Sequence, residues 1–515
     1  MIGYQLSIQS CHRPHAVALV YGERELSYAQ LYGRSCQLGH ALIRQGVGPG
    51  DRVAVLLHNC PHFVETMFAC ALIGAIFVPI NFRLVAREVG MVIEACNPRV
   101  LLAGEGFADV LAQLDLPDTL ARPCWIDDQP AEQHRPANTA YEAWIGAQPA
   151  SEPATAVAAD SPLMLLHSSG TTGLPKGIIF THATTLASSS AKIIDLGLTP
   201  KDITVVFGPL FHAGPLMDLT LPLLLRGGQV VLGVSRHFEP GQLLATIAAR
   251  RGTVIPIYPT MLRRVLDTPP DPDIDLGSLR LIITGGEAAP IPVIEGVHAR
   301  FPGVAFVNNY GSTEGGPVTT FLAPEHSLRK MGSVGKESFG VEVRIHDRQG
   351  QPLGPGAVGE LVVRSAFVCA GYWNRPEETA TQLRDGWWYT GDLGYRDAER
   401  FIWISGRSKD MIKSGTENIY PIEVEQVIAA MDGVVEVGVI GVPDEAWGES
   451  VVAFVVMKPG HRQDAASVID QCRAMLASYK KPRHVVFVDS LSRGTTNKVA
   501  KAKLRSQWDA LASGR

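Results

Sequence analysis

The sequence has no pair of cysteines at the spacing that metal sites or redox-active disulfides use. Its eight cysteines are scattered along the chain, and no two of them form a Cys-x-x-Cys pattern. A zinc site or a catalytic dithiol is therefore not indicated. Unpaired thiols are typical of a reducing compartment, so we expect free cysteines and a cytoplasmic protein. The residues are Cys11, Cys36, Cys60, Cys70, Cys96, Cys124, Cys369 and Cys472.

Neither sign of charge is in large excess. The 46 Lys and Arg residues stand against 51 Asp and Glu residues, which gives a formal net charge of -5. A chain without a basic balance is not expected to bind nucleic acid or an anionic membrane surface. Hydrophobic residues make up 46% and charged residues 19% of the chain, which is the usual composition of a globular protein.

Long hydrophobic runs are also missing. The most apolar stretch, residues 66–80, is shorter than the ~20 residues that a membrane helix needs, and Gly74 and Pro79 interrupt it. We interpret it as a buried helix followed by a strand, and we expect no membrane span. Residues 1–15 lack the basic-then-apolar pattern of a signal peptide. The sequence does not fix the oligomeric state, and a homodimer is compatible with it.

The first part of the chain alternates between strand and helix patterns. Ser27 and Gln30 form a capping box that opens a helix, and Gly46 ends it. The apolar run 52–57 predicts a buried strand, 61–73 a helix and 76–80 a second strand. A strand–helix–strand unit favours a mostly parallel, helix-covered sheet. Further predicted strands lie at residues 163–166, 203–206, 229–232, 253–257 and 279–284.

The later part of the chain changes character. Residues 340–346, 359–364 and 400–404 predict short antiparallel strands punctuated by Gly, Pro and Asp. Residues 129–160 are rich in Pro, Ala and polar residues, and we expect a surface excursion there. The last hundred residues predict a separate α+β unit. We therefore expect a large domain over residues 1–406, a hinge at 407–412 and a small domain over 413–515.

A flexible polar loop follows the strand predicted at residues 163–166. Residues 168–177 read SSGTTGLPKG, and such a loop exposes backbone N–H groups and hydroxyls that can surround phosphate oxygens. Lys176 adds a positive charge. The loop is not a Walker A motif, because Lys176 precedes Gly177 instead of following a glycine.

Six further short motifs carry chemically useful side chains. Each has a common structural interpretation when it stands alone, such as a helix cap for a Glu after Ser–Thr, a turn for an Asp after Gly, or a solvated face for a single Lys. The motifs are FHAGP at 211–215, GGEA at 285–288, YGSTE at 310–314, WYTGDL at 388–393, GRSKD at 406–410 and TTNKVAKAKLR at 495–505.

Together, and in this order over nearly the whole chain, the motifs resemble the adenylate-forming superfamily. That superfamily includes acyl-CoA synthetases, firefly-type luciferases and the adenylation domains of nonribosomal peptide synthetases. The resemblance is closest to the acyl-CoA synthetases. It implies an α/β fold in which a large N-terminal domain has mostly parallel sheets and a small antiparallel, barrel-like portion. A small mobile α+β domain follows.

The resemblance also implies a nucleotide site. Tyr310 would stack on adenine, Thr313 would donate to the α-phosphate, Asp392 would accept hydrogen bonds from the ribose, and Glu314 with Thr172 would hold Mg²⁺. The implied ATP and AMP contacts are Ser168, Ser169, Gly170, Thr171, Thr172, Gly173, Lys176, Gly286, Glu287, Ala288, Asn308, Asn309, Tyr310, Gly311, Ser312, Asp392 and Arg407.

The acid site and the moving parts follow from the same resemblance. Lys498 would bridge the substrate carboxylate and the α-phosphate, and His212 would position the acid. Thr313 and Glu314 complete the implied catalytic set, while Lys409 matches the hinge position. The implied acyl pocket consists of His212, Leu216, Met217, Tyr258, Gly286 and Gly311.

The implied activity is ATP-dependent conversion of a carboxylic acid to acyl-AMP, followed by acyl transfer to coenzyme A. Two departures from the family pattern concern the second step. Thr416 replaces the second glycine of a Gly–Gly pair, where its branched side chain could narrow the pantetheine tunnel, and Asn497 replaces a glycine before Lys498. An amine acceptor such as an amino acid, which would give an amide, therefore stays open.

Three other activities are alternatives to thioester and amide formation. Loading of a carrier-protein thiol is a third possible transfer step, and light-producing oxidation is a fourth that the acid site alone does not support. A nucleotide-binding protein without catalysis is disfavoured by the presence of Lys176, Glu314, Asp392 and Lys498, because a simple binder has no use for the late lysine.

Overall fold

The computed structural model describes residues 1–117, 120, 123–126, 139–169, 175–286, 289–414, 417–444, 447–461, 463–494 and 498–513. Four sheets organise these residues. No helix in these ranges combines the length and apolar composition that crossing a membrane requires.

The strands are numbered in chain order. They are β1 Val17–Tyr21, β2 Arg24–Ser27, β3 Arg52–Leu56, β4 Ile76–Pro79, β5 Val100–Gly104, β6 Cys124–Ile126, β7 Pro162–Ser169, β8 Pro175–Thr181, β9 Ile203–Val206, β10 Gln229–Leu232, β11 Val254–Pro256, β12 Leu281–Thr284, β13 Ala305–Ser312, β14 Gly316–Leu322, β15 Lys336–Glu337, β16 Val341–His346, β17 Gly359–Ser365, β18 Leu383–Arg384, β19 Trp387–Arg396, β20 Ile402–Arg407, β21 Ile412–Ser414, β22 Glu417–Ile419, β23 Val434–Asp444, β24 Gly448–Met457 and β25 His484–Phe487.

The helices are numbered in the same way, and a short π-helix, Gly214–Thr220, precedes α8. They are α1 Ile2–His12, α2 Tyr28–Arg44, α3 Pro61–Ile73, α4 Ala86–Cys96, α5 Ala108–Leu111, α6 Thr139–Gly146, α7 His182–Asp195, α8 Leu221–Arg226, α9 Pro240–Arg250, α10 Pro259–Asp267, α11 Ile291–Arg300, α12 Pro376–Gln382, α13 Pro421–Ala429, α14 Ala465–Met475 and α15 Lys501–Ser513.

Two large, mostly parallel sheets contain all the strands from β1 to β15, the last of which ends at Glu337. The six-stranded sheet has the order β6-β5-β3-β4-β7-β8, and the nine-stranded sheet has the order β15-β14-β13-β12-β11-β9-β10-β1-β2. The predicted strand–helix–strand unit is confirmed, because β3 and β4 are parallel neighbours joined through α3. Every residue of α3 is buried, as expected for a helix covered on all sides.

The two remaining sheets are smaller. Strands β16, β17, β19, β18 and β20 form an antiparallel sheet, which confirms the antiparallel character predicted for the middle of the chain. The last sheet joins β22, β21, β24, β23 and β25 with helices α13 to α15. The chain passes from one to the other between the end of β20 at Arg407 and the start of β21 at Ile412.

The surface excursion predicted for residues 129–160 is wrong at α6. Tyr141 in this helix is completely buried, and its hydroxyl donates to Glu65 at 2.9 Å. Arg34 of α2 donates to both oxygens of Glu142, at 2.8 Å each. These contacts come from residues far away in the sequence, so local composition could not reveal them.

Candidate active site

The predicted site residues follow the carboxyl ends of parallel strands. Strand β9 leads to His212, β11 leads to Tyr258, β12 leads to Gly286, and β13 carries the Asn–Asn–Tyr segment that begins at Asn308. Because β9, β11, β12 and β13 run parallel in one sheet, their carboxyl ends meet at one edge. In open α/β sheets that edge is where ligands bind.

Tyr310 and Arg407 both engage Asp392. The Tyr310 hydroxyl donates to Asp392 Oδ2 at 2.7 Å, and Arg407 Nε lies 2.9 Å from Asp392 Oδ1. Burial and the neighbouring carboxylate raise the pKa of Tyr310, and the Asp392 carboxylate raises the pKa of Arg407. The phenol is therefore a fixed donor and the guanidinium a fixed cation, and three side chains from β13, β19 and β20 meet at one point.

Asn308 presents an unsatisfied buried acceptor beside this cluster. Its side chain is 4% exposed, and within the described residues its Oδ1 has no hydrogen-bond partner. A buried polar atom of this kind is costly unless a ligand satisfies it. An adenine amino group is a donor of the required kind, so the cradle fits the base that the sequence predicts.

The glycine pair before Asn308 allows a close approach of two chains. A methyl group on Gly285 would lie 1.9 Å from Asn309 Oδ1, so only glycine fits there. Gly286 has φ +84°, a backbone conformation that favours glycine. The backbone can therefore form one wall of a narrow slot for a planar ligand. The predicted contacts Glu287 and Ala288 lie outside the described residues.

Lys176 and Glu314 lie on either side of Tyr372. The Lys176 ammonium pairs with Glu378 and sits 5.2 Å from the centre of the Tyr372 ring. The Tyr372 hydroxyl donates to Glu314 Oε1 at 3.2 Å, and burial together with Glu314 raises the pKa of that hydroxyl. Sequence reasoning missed Tyr372 and Glu378, because neither belongs to a motif with evident chemistry.

Only part of the phosphate loop, residues 168–177, belongs to the described residues. Residues 170–174, including Gly170, Thr171, Thr172 and Gly173, lie outside the described residues, as do the side chains of Ser168 and Ser169. The described residues on either side belong to the antiparallel strands β7, which ends at Ser169, and β8, which begins at Pro175.

The turn after Tyr310 contains a side-chain hydrogen bond and a close approach of two strands. Ser312 Oγ accepts a hydrogen bond from the Gly315 N–H at 2.9 Å, which holds Thr313 and Glu314 in the turn between β13 and β14. A methyl group on Gly311 would lie 2.3 Å from the Pro317 carbonyl oxygen. Gly311 is therefore required for the two strands to close together at this point.

His212 marks the acid end of the site. Burial is the main cause that lowers its pKa to about 3, and the positive charges of Arg83 and Lys498 lower it further. The imidazole is therefore neutral near pH 7. Lys498 belongs to the last part of the chain, so the fold brings this late lysine to the acid site. Arg83 was missed, because it lies in a loop after β4 without a recognisable motif.

The predicted acyl-pocket residues divide into two groups. Leu216 and Met217 are 0% and 2% exposed and pack in the main hydrophobic core. Tyr258 instead lies against backbone, since a methyl group on Gly286 would be 3.2 Å from its Cε1 atom. Asp218, the next residue after Met217, is buried at the same place and was not predicted to belong to the site.

The predicted hinge residue Lys409 lies in a single turn of 3-10 helix, Ser408–Asp410, between β20 and β21. Asp410 in this turn lies 3.8 Å from Arg505 of α15. The turn is therefore the covalent link between two sheets and is also touched by the last helix.

Comparison with known proteins identifies the class. The chain matches the AMP-binding enzyme family over residues 7–373 and the AMP-binding enzyme C-terminal domain over residues 423–498. It therefore belongs to the AMP-binding enzyme family, and the resemblance seen in the sequence is confirmed.

Individual relatives cover almost the whole chain. An indoleacetate–CoA ligase from Aromatoleum aromaticum is 38% identical over 96% of this chain and 95% of the relative. A feruloyl-CoA synthase from an Amycolatopsis species is 37% identical over 96% of each chain. The crystal structure of an anthranilate CoA ligase in complex with anthranoyl-AMP superposes with a TM-score of 0.89 and 28% identity, covering 98% of this chain and 96% of that one.

Proposed function

We propose that the protein is an ATP-dependent, AMP-forming acyl-CoA ligase that converts a carboxylic acid to acyl-AMP and then to a thioester. The observation that carries this proposal is that Lys498 lies near enough to His212 for its charge to lower the pKa of that imidazole. A lysine from the last part of the chain acts on the acid end of a site whose other end holds the Tyr310–Asp392–Arg407 cluster. The family and the CoA ligases among the relatives support the same activity.

In the first step the acid carboxylate attacks the α-phosphorus of ATP and pyrophosphate leaves. Two anions must approach each other, so positive charge at the point of contact lowers the barrier. Lys498 provides that charge, while the neutral imidazole of His212 packs against the acid. Asp392 accepts hydrogen bonds from the ribose hydroxyls, and Asn308 Oδ1 accepts one from the adenine amino group.

The chemistry of the residues present fits a magnesium ion. Glu314 Oε1 accepts a hydrogen bond from Tyr372, and within the described residues Oε2 accepts none, so a carboxylate oxygen is available to a hard cation. When bound there, Mg²⁺ supplies charge neutralisation at the phosphates. Among the described residues no group of three or more His, Cys, Asp or Glu side chains forms a metal cage, which agrees with an ion held largely by nucleotide and water.

In the second step the thiol of coenzyme A attacks the acyl carbon and AMP leaves. We propose that residues 413–515 form the small domain, that residues 407–412 form the hinge, and that the domain turns between the two steps. Lys498 would then move away from the acid site and another face would approach it. Thr416, which the sequence places near the thiol path, lies outside the described residues.

A cationic pocket beside the acid site supports coenzyme A as the acceptor. This pocket of about 400 Å³ is lined by Arg83 and Arg236 together with the rings of His58, Phe82 and Phe107. Arg83 is also one of the charges that act on His212. Guanidinium groups bind phosphates well, whereas a small neutral amine would gain little from them.

The proposal also covers the class of the substrate acid and the cellular location of the enzyme. The three relatives compared above act on aryl or arylalkyl acids according to their names, which supports an acid of that kind here. All eight cysteines are unpaired, and this supports the cytoplasmic location that we propose.

The test is to incubate the enzyme with ATP, Mg²⁺ and a panel of aryl, arylalkyl, alicyclic and fatty acids, and to supply either coenzyme A or mixed amino acids. Products are identified by mass spectrometry. We expect AMP, pyrophosphate and an acyl-CoA. Amides that form without coenzyme A would replace the proposed acceptor, and the absence of ATP–pyrophosphate exchange with every acid would refute the proposal.

A further inference from the structure

Asp218 is a buried carboxylate that the proposed reaction does not use. It lies on the π-helix Gly214–Thr220, six residues after His212. The residue is 8% exposed, and within the described residues its Oδ1 atom has no hydrogen-bond partner. Buried polar atoms without partners are rare in folded proteins, and those that occur often await a ligand.

The surroundings of Asp218 place it beside Tyr258, a residue of the predicted acyl pocket. A methyl group on Gly214 would lie 3.1 Å from the Tyr258 hydroxyl and 3.5 Å from Asp218 Oδ2, so these two groups border the same small space. The Cε1 and Cδ1 atoms of the Tyr258 ring face Gly286. Tyr258 therefore contacts the Gly286 side of the predicted acyl pocket and also borders the space beside Asp218.

Lys192 balances the charge of Asp218 without satisfying its hydrogen bonds. Lys192 is 1% exposed, and its ammonium donates to Ser188 Oγ at 2.6 Å. Burial raises the pKa of Asp218 and lowers that of Lys192, and attraction between the two charges opposes both shifts. Among the described residues the two nevertheless form no direct ion pair. Asp195, the other carboxylate near Lys192, is already engaged by Ser338 and by the Phe339 N–H.

We propose that Asp218 is a specificity-determining residue that accepts a hydrogen bond from a neutral hydroxyl group at the end of the substrate acid remote from its carboxylate. The inference rests on the proposed function and names the substrate class, a hydroxylated acid. The group is neutral because Lys192 already balances Asp218, so an ammonium group would add an uncompensated buried charge. A plain hydrocarbon end would leave the carboxylate oxygen unsatisfied, and such a site rejects the analogue that lacks the hydroxyl.

The experiment compares matched acids on the skeleton that the enzyme turns over best in the panel described above. Each skeleton is supplied with a terminal hydroxyl, with a terminal ammonium and without either, and kcat/KM is measured as AMP release with coenzyme A. We expect wild-type enzyme to prefer the hydroxylated acid over the unsubstituted acid by about 10- to 100-fold. Asp218→Ala should reduce that preference to about 2-fold or less, mainly by losing activity on the hydroxylated acid.

Two further variants keep the test decisive. The double variant Lys192→Met with Asp218→Leu removes both buried charges together, and it should still activate the unsubstituted acid while showing no preference for the hydroxyl. Asp195→Asn changes the other carboxylate near Lys192, which Ser338 and the Phe339 N–H engage, and its preference should equal that of wild type. Equal kcat/KM for the hydroxylated and unsubstituted acids in wild-type enzyme would overturn the inference and leave the ligase activity intact. A preference for the ammonium acid, or one that survives in both Asp218 variants, would also overturn it.

Discussion

At the scale of single residues, Asn308 is a position at which nucleotide binding and stability can be tested independently. Its buried Oδ1 atom has no partner in the described part of the chain, and its Nδ2 atom makes only a long contact of 3.5 Å with the Ser333 carbonyl. Replacing a poorly satisfied polar group by an apolar group of similar shape is nearly neutral for folding or stabilising. The side chain therefore contributes little to stability, and we propose that it serves to bind the adenine base.

We predict that Asn308→Leu raises the KM for ATP by about 10-fold, because the adenine amino group loses its acceptor. The melting temperature without ligand should be equal to that of wild type or higher. Differential scanning fluorimetry with and without AMP measures both effects, since the shift that AMP produces should shrink. A fall in the ligand-free melting temperature with an unchanged KM would show that Asn308 is structural.

Lys498 is the residue on which the first half-reaction depends. Lys498→Ala should lower ATP–pyrophosphate exchange by about 10²- to 10³-fold, because the charge that joins carboxylate and phosphate is lost. Transfer from a preformed acyl-adenylate to coenzyme A should stay within about 3-fold of wild type, because in the proposed second step Lys498 has moved away from the site. Lys503→Ala removes the same charge from the neighbouring exposed surface and serves as the control. Equal losses in both half-reactions would show that the lysine supports the site as a whole.

At the scale of secondary-structure elements, a buried histidine joins helices α1 and α7 through a hydrogen bond. His182 begins α7, is 0% exposed, and accepts a hydrogen bond from the Ile2 N–H of α1 through Nδ1 at 3.3 Å. Burial, with a smaller effect from the N-terminal ammonium, lowers its pKa to about 4. The native state therefore keeps this imidazole neutral over a pH range in which an unfolded chain would protonate it.

This shift predicts how stability depends on pH. Between about pH 6.5, the usual value for an unfolded histidine, and about pH 4, the unfolded state binds one proton more than the native state. The free energy of unfolding should therefore fall as the pH is lowered through this window, by about 1.4 kcal/mol per pH unit for this one group. His182→Asn, which retains an acceptor for the Ile2 N–H, should flatten that slope in urea titrations from pH 4 to 7. The exposed residue His15, changed to Asn, is the matched control, and a slope equally steep in both variants would contradict the assignment.

Several elements could be predicted from the sequence because their signals are local. The capping box at Ser27 and Gln30 is present, and α3 begins at Pro61 and ends before Gly74, as the pattern of residues 61–73 predicted. Local signals fail where partners are distant in the sequence. The burial of α6 depends on Arg34 and Glu65, and the electrostatic interaction of Lys192 with Asp218 depends on the packing of α7 against the π-helix. Sequence motifs therefore predict the nucleotide-binding groups, and those assignments stay predictions, whereas the features specific to this chain required the structure.

At the scale of the whole molecule, the arrangement of the two parts corresponds to one of the two half-reactions. The charge of Lys498 lowers the pKa of His212, so the late lysine lies near the predicted acid-binding residue, as the proposed adenylate-forming step requires. Thioester formation needs the same space for a thiol. A single arrangement cannot serve both steps, and the turn Ser408–Asp410 is the place where the chain can change direction.

Lys409→Pro tests directly whether the turn Ser408–Asp410 must change its conformation between the two half-reactions. Proline fixes φ near -65° and restricts the residue before it, so it removes rotational freedom from the turn without touching either reacting centre. Lys409 is the second residue of the 3-10 helix Ser408–Asp410, and N–H groups in the first turn of a helix have no partner within that helix, so proline removes no hydrogen bond of this helix. We predict that ATP–pyrophosphate exchange stays within about 3-fold of wild type, while acyl-CoA formation from the preformed adenylate falls by about 100-fold. Lys409→Ala removes the same charge but leaves the backbone free, and it should retain both activities. If Lys409→Pro formed thioester at the wild-type rate, the small domain would not need this turn to rotate, and both steps would have to occur in the arrangement that the structure shows.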